Sequence, residues 1–146
     1  SPSPFNYSVT TGTTFDLLET SSGRVLLSFQ AEEERIRRLQ RRKFYMKIQK
    51  GVSTRTTDSL EKKFTSKTIH EIRKNKCEVV KSLQVNGVTN ISAPVFDHTN
   101  YAIAAITIPY LQRINKSSKN DINLSKTTKL LKEYSVKLSQ SLGYLN

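Results

Sequence analysis

Two β-rich runs, Val88–Phe96 and Tyr101–Pro109, stand on either side of Asp97-His98-Thr99-Asn100, and nothing else in this chain constrains its fold as strongly. β-branched and aromatic residues interrupted by a short polar, turn-forming tetrapeptide signal a hairpin. With His98-Thr99 as a two-residue loop, Asn90 stands opposite Thr107 and Ile91 opposite Ile106. Side chains alternate across a strand. One face then carries Thr89, Ile91, Ala93, Val95, Ala102, Ala104, Ile106 and Ile108, which is a core face. The other carries Val88, Asn90, Ser92, Ala105, Thr107 and Pro109. A small, partly polar face of this kind lines a ligand cavity or faces solvent, and a bulge in either strand would alter the register.

Helical signals surround the hairpin. Residues 1–16 are rich in Ser, Thr and Pro and read as loop or irregular extended chain. Thr20-Ser21-Ser22-Gly23 offers hydroxyl caps ahead of Val25-Leu26-Leu27, within a helix assigned to Leu17–Phe29. A second helix over about Ala31–Lys43 opens with three glutamates and closes on Arg41-Arg42-Lys43, the order that complements the helix dipole. Phe44–Thr56 has no clear period. Asp58-Ser59-Leu60-Glu61 reads as a capping box that opens a helix running to about Asn75, with Leu60, Phe64, Ile69 and Ile72 on its buried side. Cys77–Leu83 reads as a strand. Lys116–Asp121 is a polar linker before a last helix, Ser125–Leu142, whose Leu130, Leu131, Tyr134, Leu138 and Leu142 fall at helical spacing and which stops at Gly143.

With 146 residues the chain is one domain's worth. No apolar run approaches the roughly 18 residues of a membrane span, and no signal peptide is visible, so the expectation is a soluble, cytoplasmic protein. A lone Cys77 excludes an intramolecular disulfide and a cysteine-built zinc site, and no cofactor motif or metal-ligand cluster is present. His70 and His98 are the only histidines, and no nucleophile–base–orienter set can be drawn with them. The net charge of +12 raises nucleic acid as a partner. Of the 24 basic residues, 22 are spread over three segments with acids mixed into each, a pattern of solvated helix faces rather than of one concentrated binding face.

Three stretches carry a family resemblance. Thr20-Ser21-Ser22-Gly23-Arg24-Val25-Leu26-Leu27-Ser28-Phe29 is similar to the T-A-x-G-[KR]-x-x-L-A-F segment of IclR-type transcriptional regulators, in their C-terminal effector-binding domain. Glu71-Ile72-Arg73 resembles that family's E-[IV]-R helix end. Gly87-Val88-Thr89-Asn90-Ile91-Ser92-Ala93-Pro94-Val95-Phe96-Asp97 resembles G-V-x-C-I-A-A-P-V-F-D and is the most specific of the three. The resemblance implies an α+β fold: a GAF-like antiparallel sheet flanked by helices, here lacking its first strands, with residues 1–146 a partial effector-binding domain and the winged helix-turn-helix outside this chain. It implies a ligand pocket between the first-helix N-terminus and the central strands, carried over to Ser21, Ser22, Val80, Val88, Asn90, Thr107 and Pro109. It also implies a homodimer or homotetramer that meets DNA through the absent domain.

The sequence departs from the family where Asn90 replaces the usual Cys, Pro109 a frequent Ser, and Val79-Val80-Lys81 an often acidic strand, so a different effector is expected. Free amides at a helix start suit a carboxylate. The first expectation is therefore a regulatory sensor of a small anionic metabolite. The alternative is a basic domain that binds nucleic acid directly through its surface.

Overall fold

The computed structural model describes residues 10–48, 54–111 and 123–145. In chain order these form α1 (Ser21–Ser28), α2 (Glu32–Ile48), α3 (Thr54–Lys63), α4 (Ser66–Asn75), β1 (Glu78–Lys81), β2 (Val88–Phe96), β3 (Ala102–Leu111) and α5 (Leu124–Ser141). The strands make an antiparallel sheet in the order β1-β2-β3. α1 packs on one face, where Leu18, Val25 and Leu27 meet Phe64, Ile72 and the rim residue Ala105. α5 packs on the other, where Leu131 meets Cys77, Ile91 and Ala93, with Ile106 and Ile108 beside them. The fold is thus α+β, with a sheet covered by helices on both faces. The Lys116–Asp121 linker and residues 1–9 lie outside the described residues.

Local chemistry explains three of the helix starts. Thr20 caps α1, its Oγ1 accepting the Gly23 N–H at 3.2 Å. Asn123 caps α5 in the same way through Lys126 N–H at 2.8 Å. The single helix expected from Asp58 to Asn75 is two. Thr65 restarts the chain as the N-cap of α4, accepting Thr68 N–H at 3.3 Å, while Asp58 lies inside α3, 3.6 Å from Lys43 Nζ. The break places Phe64 in the cluster around α1 together with Ile72.

The hairpin register is shifted by two residues from the expected one. Asn90 stands opposite Pro109, Ser92 opposite Thr107, and Ile91 opposite Ile108. The cause is a wider turn: the Asp97 carboxylate accepts the Thr99 N–H at 2.8 Å, and Asn100 turns left-handed at φ 65°. An even shift preserves the faces, so Asn90, Ser92, Thr107 and Pro109 still share one side. A bulge between Val95 and Phe96 then sets Ala102 opposite Phe96, out of the row in which it was expected.

α5 also differs from expectation. Its buried line is Leu131, Ser135 and Ser139, whereas Tyr134, Leu138 and Leu142 are exposed. The small serines allow close approach to β2 and satisfy its backbone: Ser139 Oγ accepts the Phe96 N–H at 2.9 Å, and Ser135 Oγ donates to the Pro94 carbonyl. Nor are all the cations solvated. Arg42 is buried against Asp16, with N–O distances of 2.5 and 2.7 Å.

Candidate ligand pocket

The helix α1 is held in place at both ends. Arg24 on its first turn forms a fork with Glu78 of β1 at 2.7 and 2.9 Å, and its Nη1 donates to the Leu18 carbonyl at 2.7 Å. At the other end, Arg73 of α4 donates to the Ser28 and Gln30 carbonyls at 2.5 and 3.3 Å. Gly23 lets the preceding chain lie directly on the helix: a Cβ there would stand 2.1 Å from the Leu17 carbonyl oxygen. These contacts fix where α1 begins, above the small polar face of the β2–β3 hairpin.

Between them lies a cavity of about 230 Å³. Five of the seven residues expected from sequence border it: Ser21, Ser22, Asn90, Thr107 and Pro109. Val80 and Val88 do not. Val88 is buried at the strand start, and Val80 pairs with Asn90 in β1 without reaching the lining. The register correction explains how Asn90 and Thr107 still meet there: they lie diagonally on one face rather than opposite each other. Phe15, Thr20 and Gln84 complete the wall. Phe15 and Gln84 belong to loops with no periodic signal, so sequence reasoning missed them, whereas Thr20 was legible only as a cap.

The polar groups of this cavity are neutral donors and acceptors. Ser21 is 2% exposed, and its Oγ is the one buried side-chain polar atom among the described residues without a hydrogen-bond partner. Such an orphan costs about 1–3 kcal/mol when nothing occupies its hydrogen-bonding capacity. The Ser21 and Ser22 amides start α1, where backbone N–H groups have no intrahelical acceptor. Thr107 Oγ1 is 2.7 Å from the buried Ser92 hydroxyl, which fixes its position. None of the lining residues is ionisable, so the arrangement offers hydrogen bonds and a helix dipole but no acid–base pair.

The ionisable groups whose behaviour is shifted lie elsewhere. Burial raises the Cys77 pKa, the Thr99 hydroxyl and amide lower that of Asp97, Arg38 lowers that of Glu34, and Glu61 raises that of Lys43. Among the described residues, no group of three His, Cys, Asp or Glu could hold a metal ion, and no helix is long and apolar enough to cross a membrane. Two larger hollows, of about 490 and 920 Å³, lie beside α2 and between β1 and α5. Neither contains the orphaned hydroxyl.

Residues 2–140 match the family model described as bacterial transcriptional regulator IclR C-terminal. Solved structures share the fold at low identity. HmgR of Pseudomonas aeruginosa is 20% identical with a TM-score of 0.63, the match covering 98% of this chain and 51% of that one. The repressor BlcR of Agobacterium tumefaciens is 20% identical with a TM-score of 0.60, covering 95% and 52%. The C-terminal domain of the E. coli transcriptional regulator KdgR is 22% identical with a TM-score of 0.56, covering 88% and 71%. The chain thus spans about half the length of HmgR and BlcR. No curated protein matches it in sequence.

Proposed function

The chain belongs to the IclR family of bacterial transcriptional regulators, matching their C-terminal domain, and from that premise we propose that residues 1–146 are its ligand-sensing part. The ligand is a small anionic metabolite, a carboxylate, held in the cavity between α1 and the β2–β3 hairpin. One carboxylate oxygen takes the Ser21 and Ser22 amides and the orphaned Ser21 hydroxyl. Asn90 and Thr107 read the other end, and Pro109 closes the wall. The observation that carries this reading is the Ser21 hydroxyl, buried without a partner at a helix start. The absence of any charged lining residue suits recognition by dipoles, with the effector supplying the only charge.

The domain acts by binding rather than by catalysis. A ligand can switch it only through a difference in affinity between two states. α1 is the element placed to register that difference, because Arg24 couples its first turn to β1. A separate DNA-binding domain then reads the change in a cytoplasmic homodimer or homotetramer. Direct nucleic-acid binding is the less favoured reading, because Arg24, Arg37, Arg38, Arg42 and Lys43 are all paired with acids.

The test is a thermal-shift screen of small carboxylates. At a hundredfold excess over Kd a true ligand adds about 2.7 kcal/mol. The shift should vanish in Ser21→Ala, Asn90→Leu and Thr107→Val. Equal shifts in the wild type and all three variants would remove the assigned pocket. Retention of duplex DNA by this chain alone, lost steeply with salt, would favour the nucleic-acid reading.

A further inference from the structure

We propose that the free edge of β1, with the lysine-rimmed groove it forms with α5, is a docking site for an extended acidic peptide that adds to the sheet as a strand. The inference is independent of the ligand pocket. The Ser82 N–H donates to the Val88 carbonyl at 2.8 Å, while Val80 stands opposite Asn90 and Glu78 opposite Ser92. In an antiparallel ladder inward and outward residues alternate. Val79 and Lys81 therefore point their N–H and C=O groups away from β2, and among the described residues no strand pairs with that side.

Beside this edge lies the groove of about 920 Å³. Val79 and Val136, each about two-fifths exposed, and Leu124 supply its apolar surface. Lys129 and Lys132 border it and form no ion pair with the described residues, while Lys137 lies over the Tyr134 ring. Glu133 is the single acid on the border. Lysine stems add to the apolar floor while their ammonium groups stay at the rim.

Charge complementarity decides the occupant. A second copy paired edge to edge across a two-fold axis would carry its α5 on the same side of the joined sheet and set lysines against lysines. Lys81 at the edge opposes that pairing further. An extended peptide carrying acids meets the same lysines favourably, and its main chain takes the outward groups of Val79 and Lys81.

The experiment uses the whole chain and a fluorescein-labelled alternating glutamate–valine heptapeptide, followed by fluorescence polarisation, with a lysine–valine heptapeptide as comparison. Val79→Pro deletes an outward N–H and spares the ladder, as an edge position permits. Lys129→Glu with Lys132→Glu reverses the rim. Circular dichroism and melting curves establish that both variants are folded. We expect saturable binding of the acidic peptide only, weakened about tenfold or more in each variant. Absence of binding, wild-type affinity in either variant, or a dimer mass in light scattering that the same substitutions abolish would overturn the proposal. Carboxylate thermal shifts should be unchanged in both variants, which separates this site from the pocket.

Discussion

Gly23→Ala sets two physical effects against each other at the pocket's edge. Alanine in place of glycine stabilises a helix interior by up to about 1 kcal/mol, so local propensity predicts a gain. Tertiary geometry predicts a loss. The new methyl would sit 2.1 Å from the Leu17 carbonyl oxygen and 2.6 Å from Leu17 Cα, where ordinary contacts begin near 3.4 Å. The Leu17 backbone must move by about 1 Å, and it is tethered. Arg24 holds the next carbonyl at 2.7 Å, Thr20 Oγ1 donates to the Asp16 carbonyl at 3.1 Å, and Asp16 is locked to Arg42. Overpacking of this kind costs about 1–3 kcal/mol, and backbone offers less relief than a flexible side chain. We expect a net loss of about 2 kcal/mol in urea unfolding and a fall in Tm of about 5 °C. Because Leu17 leads into Thr20 and Ser21, the carboxylate-induced thermal shift should weaken as well. An unchanged or raised Tm would refute the reasoning and show that this end of α1 yields freely.

Arg42→Met should destabilise the fold by about 3–5 kcal/mol, because it leaves the Asp16 carboxylate buried without its counter-charge. Adding Asp16→Ala should recover a large part of that loss in a urea double-mutant cycle. Cys77 provides a pH test. Burial raises its thiol pKa above the ordinary value of 9.0, so the folded state retains the proton that the unfolded chain releases. Its contribution is fully present below that value and is lost as the pH rises through the folded pKa. Stability of the wild type should therefore fall more steeply above pH 9 than that of Cys77→Ala, and alkylation at pH 8 should be slow until the chain unfolds. A parallel alkaline decline in both proteins would contradict this.

The hairpin, the hydroxyl cap of α1 and the final helix were legible in sequence because they rest on local chemistry: alternation, hydroxyl capping and helical spacing. The residues of the candidate pocket were assigned through the family resemblance, and five of the seven border the cavity. Side chains alternate by position along a strand, so even a register error of two left Asn90 and Thr107 on one side. Tertiary structure decided the rest. The turn geometry at Asp97–Asn100 set the true pairing. The need to pack α5 closely on β2 selected Ser135 and Ser139 over Tyr134 and Leu138, against the apolar pattern. Arg42 entered the interior only because Asp16 and Glu61, distant in sequence, converge on it. The cavity depends on α1 sitting above one hairpin face, and the orphaned Ser21 hydroxyl acquires meaning only there. Local signals determine which elements form, because they act over a few bonds; what those elements enclose depends on contacts between residues far apart in the chain.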